Sequence, residues 1–254
     1  MWGTVFDEDT GLPSIIGRED CLYLNIFAQK KAKKWPVYVY IHGGSNRFGA
    51  ANDSNAATLA EKEKIVFVAV SYRLGPLGWF YHPAAQMNGN QADDSGNYGN
   101  LDNVQALHWI QENIEAFGGD PDNVTIAGES AGAHDVTVLL ATPLAEGLFH
   151  RAHIESSGME NDGNGVITHT PAKGRVLADN MLKALLGKTD AELAAMTPEE
   201  IAAAAAEKNG ADIILAMYRS GSPLYDAVVD GHVLLCPVTI SSSSTRETTT
   251  RCRS

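Results

Sequence analysis

Cysteine is scarce in this chain: Cys21, Cys236 and Cys252 are three among 254 residues. An odd count with no local spacing pattern supports no disulfide framework and leaves the redox compartment undetermined. Basic residues are also few, 19 Lys and Arg against 31 Asp and Glu, for a formal net charge of −12. Binding to a phosphate backbone needs clustered cations, so nucleic acid is not an expected partner. The one basic cluster, Lys30-Lys31-Ala32-Lys33-Lys34, sits between two expected strands and reads as a solvated hairpin loop. No apolar run approaches the roughly 18 residues of a membrane span. No signal peptide opens the chain, but the start looks short, so localisation stays unassigned. His82, His108, His150, His153 and His169 have no nearby second ligand at a metal-binding spacing, and no metal site is expected.

Apolar residues make up 44% of the chain, which supports a globular core rather than a disordered one. Residues 21–28, 37–42 and 65–71 read as strands, the last a continuous apolar run of the kind buried on both faces. Residues 54–64 between them read as helix. Val104, Leu107, Ile110, Ile114 and Phe117 recur at helical spacing, which marks a core face and not a ligand stripe. Thr189-Asp190-Ala191-Glu192 and Thr197-Pro198-Glu199-Glu200 have the form of helix starts, the second with proline at the first helical position.

The chemistry is concentrated in Gly128-Glu129-Ser130-Ala131-Gly132, the G-x-S-x-G spacing of a nucleophilic serine on a sharp strand-to-helix turn. A β-favouring run, Val124-Thr125-Ile126-Ala127, precedes it, and residues 133–140 read as helix. Glycines two residues either side of Ser130 remove Cβ atoms that would clash in so tight a turn. A second element calls for the same chemistry. Val37-Tyr38-Val39-Tyr40-Ile41 runs into His42-Gly43-Gly44-Ser45, a glycine-rich loop leaving the end of a strand. Such a loop presents backbone N–H groups, and donors aimed at a developing oxyanion typically contribute several kcal/mol to acyl transfer.

These residues resemble the type-B carboxylesterase and cholinesterase family of the α/β-hydrolases. Glu19-Asp20-Cys21-Leu22-Tyr23-Leu24-Asn25-Ile26 is similar to one family signature, and Phe117-Gly118-Gly119-Asp120-Pro121 through Val124 to Gly132 to its extended serine signature. Ser71-Tyr72-Arg73-Leu74-Gly75, Gly96-Asn97-Tyr98-Gly99 to Asp102, His150-Arg151-Ala152 to Gly158, and Val229-Asp230-Gly231 follow in family order. The resemblance covers roughly residues 17 to 238. It implies an α/β fold, an incomplete α/β-hydrolase with a mostly parallel central sheet flanked by helices and later strands missing. Residues 1–238 would form that partial domain, and the helices after residue 170 would roof the substrate gorge.

The resemblance further implies hydrolysis of a small-molecule carboxylic ester through an acyl-enzyme on Ser130, with no cofactor. Gly44, Ser45 and Ala131 would supply the oxyanion-hole N–H groups, with Gly43 supporting the loop. Glu129 would be a buried, hydrogen-bonded residue and not an acid catalyst. Ser157 is either a serine near the triad or a plain strand-end serine. Arg73 would form a buried ion pair with Asp120. In secreted relatives Cys21 pairs with an upstream cysteine that this chain lacks. The alternative is a non-catalytic adhesion protein of cholinesterase type, against which an intact Ser130 speaks.

The triad is harder to place. Its expected order is serine, acid, histidine, the last two on loops after later strands, and only 124 residues follow Ser130. Asp226 and His232 are too close in sequence to hold the strand and crossover between an acid and its base. Residues 239–254, including Glu247, are low-complexity and read as a disordered tail, of the kind a frameshift or artificial chain end would leave. His134, four residues past Ser130, could approach it from the helix, but a packed helix histidine is the preferred reading. The triad acid and histidine stay unidentified. Missing strands would leave an apolar sheet edge open to self-association.

Overall fold

The computed structural model describes residues 2–6, 13–18, 20–157, 167–221 and 225–238. The apolar run at 65–71 becomes the central-sheet strand β5 (Val66–Val70), buried at all five positions. The flanking strands are β3 (Leu24–Phe27) and β4 (Trp35–Ile41), and β4 alternates buried Val37, Val39 and Ile41 with partly exposed tyrosines. β6 (Gly119–Glu129) carries the nucleophile motif, and β7 (Arg151–Glu155) follows it. Their order across the sheet is β3-β5-β4-β6-β7. β4 pairs in parallel with β5 and β6, and β6 with β7, while β3 runs antiparallel to β5. A separate antiparallel pair joins β1 (Trp2–Phe6) and β2 (Pro13–Gly17).

Parallel neighbours need crossovers, and helices supply them. α1 (Ala57–Glu63) links β4 to β5, α2 (Tyr98–Asn113) links β5 to β6, and α3 (Ala131–Ala141) links β6 to β7. From β4 the chain first steps to one side, to β5, then to the other, to β6. The loops leaving β4 and β6 therefore open at a reversal of strand order, where open α/β sheets form their crevice. The main core lies between the sheet and its helices: Val39, Val68, Ile110, Ile126 and Val136 are all at most 1% exposed. Truncating Ile126 to alanine would destabilise the fold by about 2–5 kcal/mol.

Residues 167–221 hold α4 (Pro171–Leu186), α5 (Asp190–Ala194), α6 (Pro198–Ala206) and α7 (Gly210–Arg219). Both expected capping boxes are present, at Thr189/Glu192 and Thr197/Glu200.

Three expectations about the fold need correction. Lys30 to Lys34 is exposed but is not a hairpin loop, because β5 lies between β3 and β4. Arg73 does not meet Asp120. Its guanidinium forks onto Asp102 of α2, Nη2 to Oδ1 at 2.7 Å and Nε to Oδ2 at 2.8 Å, and its backbone N–H also donates to Oδ2. Asp120 Oδ1 instead accepts the backbone N–H of Asp122, at the start of β6. β7, the outermost described strand, presents Arg151, His153 and Glu155 to solvent, so this edge is charged and not apolar. Cys21 is a buried free thiol. Glu19, Gly158 and residues 239–254 lie outside the described residues.

Candidate active site

Ser130 occupies the single residue between the end of β6 and the start of α3. Its backbone sits at φ 55° and ψ −120°, a region that L-residues avoid because Cβ crowds the neighbouring carbonyl. The neighbouring glycines explain how the turn survives. A Cβ on Gly128 would fall 2.3 Å from the carbonyl of Gly132, and one on Gly132 would fall 2.1 Å from the carbonyl oxygen of Ile41. The turn is also tied down. Ser130 N–H donates to Glu155 O of β7 at 3.0 Å, and Ser130 O accepts from the N–H groups of Ala133 and His134. Strain of this kind, worth about 1–3 kcal/mol, persists only where the surroundings hold it.

The loop after β4 lies against this elbow. A Cβ on Gly43 would meet Glu129 O at 2.6 Å and Ser130 Cβ at 3.2 Å, so the glycine leaves room directly over the serine. Gly44, Ser45 and Asn46 all have positive φ, and the turn closes through Arg47 N–H and Phe48 N–H donating to Gly44 O. Among the described residues the N–H groups of Gly44 and Ser45 donate to no partner. Ala131, first in α3, has no partner within its helix for the same group.

Both ends of the loop are anchored from below. Tyr72, fully buried, donates its hydroxyl to His42 O at 2.6 Å, and its ring stacks on the His42 imidazole with centroids 4.5 Å apart. Burial holds the His42 pKa below the usual imidazole value, so the ring is neutral and donates through Nδ1 to Gly43 O. At the far end, Asn46 Nδ2 donates to Tyr225 O at 2.8 Å, and Asn46 O accepts the N–H of Gly75.

The remaining candidates separate. Glu129 is half-buried rather than buried, and among the described residues its carboxylate makes no hydrogen bond. Ser157 Oγ is buried without a hydrogen-bond partner among the described residues. All eight histidines are described, and none hydrogen-bonds the Ser130 hydroxyl. His134 is not merely packed: its Nδ1 lies 3.2 Å from Asp226 Oδ1. Asp226 thus pairs with His134 and not with His232. Asp230 of the Val229-Asp230-Gly231 motif accepts from Asn97 Nδ2 and from the N–H groups of Val233 and Leu234, a structural role.

Sequence reasoning missed Asp135, a carboxyl 2% exposed on the buried face of α3, joined to Asn100 and close to Asp226. A lone acidic residue inside the apolar stretch from Ala131 to Leu140 was the available signal.

Comparisons with known proteins identify the family and the fold. The carboxylesterase family model matches residues 3–242. Liver carboxylesterase of Sus scrofa is 50% identical over 141 residues, 54% of this chain and 24% of that protein. Cocaine esterase of Oryctolagus cuniculus is 39% identical over 210 residues, 76% of this chain and 38% of that one. Among solved structures, a pNB esterase superposes with a TM-score of 0.73 at 32% identity, covering 91% of this chain and 47% of its own. A Geobacillus stearothermophilus carboxylesterase gives 0.64 at 36%, covering 91% and 44%. This chain therefore spans less than half the length of each of these relatives. With the mostly parallel sheet, the strained serine and the matched stretch coinciding, the chain belongs to the carboxylesterase family.

Proposed function

We propose that the chain carries the nucleophile half of a carboxylic ester hydrolase, with Ser130 as the acyl-accepting residue. The observation that carries this reading is the Ser130 backbone, held at φ 55° and ψ −120° directly beneath the Gly43-Gly44-Ser45 loop. In the proposed step the Ser130 oxygen attacks the ester carbonyl carbon while its proton passes to a base. The carbonyl oxygen becomes an oxyanion held by the N–H groups of Gly44, Ser45 and Ala131. The alkoxide then leaves with a proton, and water releases the acid from the acyl-enzyme. Gly43 supports the hole by leaving space for the substrate. The acid and histidine of the triad have no assigned residue in this chain. The helices α4 to α7 are proposed as the roof over the site. A non-catalytic binding role is not favoured, because a strained, tethered serine has no use in adhesion.

The test is active-site labelling of the 254-residue chain with a fluorophosphonate, followed by peptide mapping, together with a short-chain nitrophenyl ester assay. The adduct is expected on Ser130 and absent from Ser130→Ala. Turnover is expected to lie orders of magnitude below that of a complete triad, since removal of a triad member leaves only about 10³–10⁴-fold acceleration over water. An adduct on Ser157 with Ser130 unmodified would reject the assignment. Full esterase turnover abolished by His134→Ala would make His134 the base.

A further inference from the structure

Two carboxyls are buried beside the nucleophile helix, Asp135 at 2% and Asp226 at 6% exposure. They do not share the same support. Asp226 Oδ1 meets His134 Nδ1 at 3.2 Å, which gives a charge on Asp226 a partner. Asp135 Oδ1 accepts only an amide hydrogen from Asn100 Nδ2 at 3.2 Å, and its Oδ2 has no hydrogen-bond partner. The Asn100 orientation is not adjustable, because its Oδ1 already accepts the indole N–H of Trp79 at 2.9 Å. Burial without a counter-charge, with the carboxylate of Asp226 nearby, disfavours a charge on Asp135, so Asp135 keeps its proton.

The elements facing Asp135 are the ones that carry the site. α2 contributes Asn100. The loop after β4 contributes Asn46, whose amide is oriented by Tyr225 O and whose backbone follows Gly44 and Ser45. The chain after β5 contributes the buried Tyr72, which holds His42 O. The segment 225–238 contributes Asp226, and α3 itself contributes His134.

We propose that Asp135 is a positioning residue for the reaction at Ser130, a buried carboxylic acid that holds the start of α3 to α2 through its hydrogen bond with Asn100 and packs beside Asn46 and Tyr72, the residues that seat the loop bearing Gly44 and Ser45. This rests on the ester-hydrolase reading of Ser130 and adds the regulation of that site by pH. Burial, then the negative charge of Asp226, pushes the Asp135 pKa up to about 8, partly offset by His134 and by the amides of Asn100 and Asn46. Below that value the acid is neutral and this packing is kept. Above it, a second buried charge repels Asp226 and draws in water, and the loop loses its seat against α3.

The experiment follows the rate of Ser130 labelling by a fluorophosphonate from pH 6 to pH 9.5, alongside thermal melting, for wild type, Asp135→Asn and Asp135→Leu. Asparagine keeps the shape and is permanently neutral. Its labelling rate should match wild type within about threefold at pH 7 and exceed it by about tenfold at pH 9.5, because only the wild type ionises there. Leucine removes the hydrogen bond from Asn100 and should slow labelling by about tenfold or more at every pH while the chain still melts cooperatively. Melting gives an independent check on the proton. Between the unfolded pKa of about 3.8 and the folded value of about 8 only the unfolded chain is ionised at this position, so wild-type stability falls as pH rises through that window and levels off above it. The asparagine variant should lack that component, so its melting temperature relative to wild type should rise from pH 5 to pH 8. Parallel labelling profiles for wild type and Asp135→Asn, with normal labelling of Asp135→Leu, would overturn the positioning role. If Ser130 is labelled in no variant at any pH, the ester-hydrolase reading falls and takes the role with it. The melting difference would then still report the buried neutral acid by itself.

Discussion

Ser130 holds a backbone conformation suited to glycine, kept in place by the neighbouring glycines and by its backbone hydrogen bonds to Glu155, Ala133 and His134. Two replacements separate strain from chemistry. Ser130→Ala keeps a Cβ in the unfavourable region, whereas Ser130→Gly removes it. Both should be unreactive toward a fluorophosphonate, but the glycine variant should be more stable than the alanine variant by about 1–2 kcal/mol. Chemical denaturation of the two proteins measures the difference directly. Equal stabilities would mean that the elbow carries no strain. The neighbouring glycines are under the opposite constraint. Gly132→Ala places a methyl group 2.1 Å from Ile41 O, a backbone atom that cannot step aside, so that variant should not fold around a working elbow.

Between elements, the fork from Arg73 to Asp102 ties the chain after β5 to α2. Asp102 is nearly buried at 5%, while the Arg73 side chain is 39% exposed and lies with its guanidinium over the Tyr98 ring. Removing the arginine leaves a desolvated carboxylate whose remaining support is a backbone N–H. Arg73→Ala should destabilise the protein by about 2–3 kcal/mol, less than the 3–5 kcal/mol of a fully buried pair because solvent screens its exposed half. Urea titration checks this, and a loss under 1 kcal/mol would place the pair among ordinary surface ion pairs. Asp102→Asn should be milder, since the amide oxygen can still accept from the Arg73 backbone.

At the scale of the whole molecule, β7 is the edge of the described sheet, with one side paired to β6 and the other unpaired. A free strand edge invites a second chain, and charge on the edge opposes it. Arg151, His153 and Glu155 supply that charge. We therefore propose weak, concentration-dependent self-association through β7. Sedimentation velocity should show it at high protein concentration, and Ala152→Lys should reduce it. Association unaffected by that change would move the contact elsewhere. No helix among the described residues is long and apolar enough to cross a membrane.

The local sequence by itself determined the elements that carry the chemistry. Periodicity, the glycine spacing around Ser130 and the two capping boxes are short-range signals, and short-range sterics set their outcome. Strand order and partner choice were decided only in three dimensions. Nothing local to Lys30 to Lys34 states that β5 inserts between β3 and β4, because pairing is settled by which apolar faces can be buried together. Arg73 chose Asp102 over Asp120 for the same reason: α2 brings the nearer carboxylate beside it. Asp135 and Asp226 stand 91 positions apart in sequence and become neighbours only when the segment 225–238 packs against α3. Their electrostatics depend on removal from water, and that is a property of the packed interior and not of any stretch of chain.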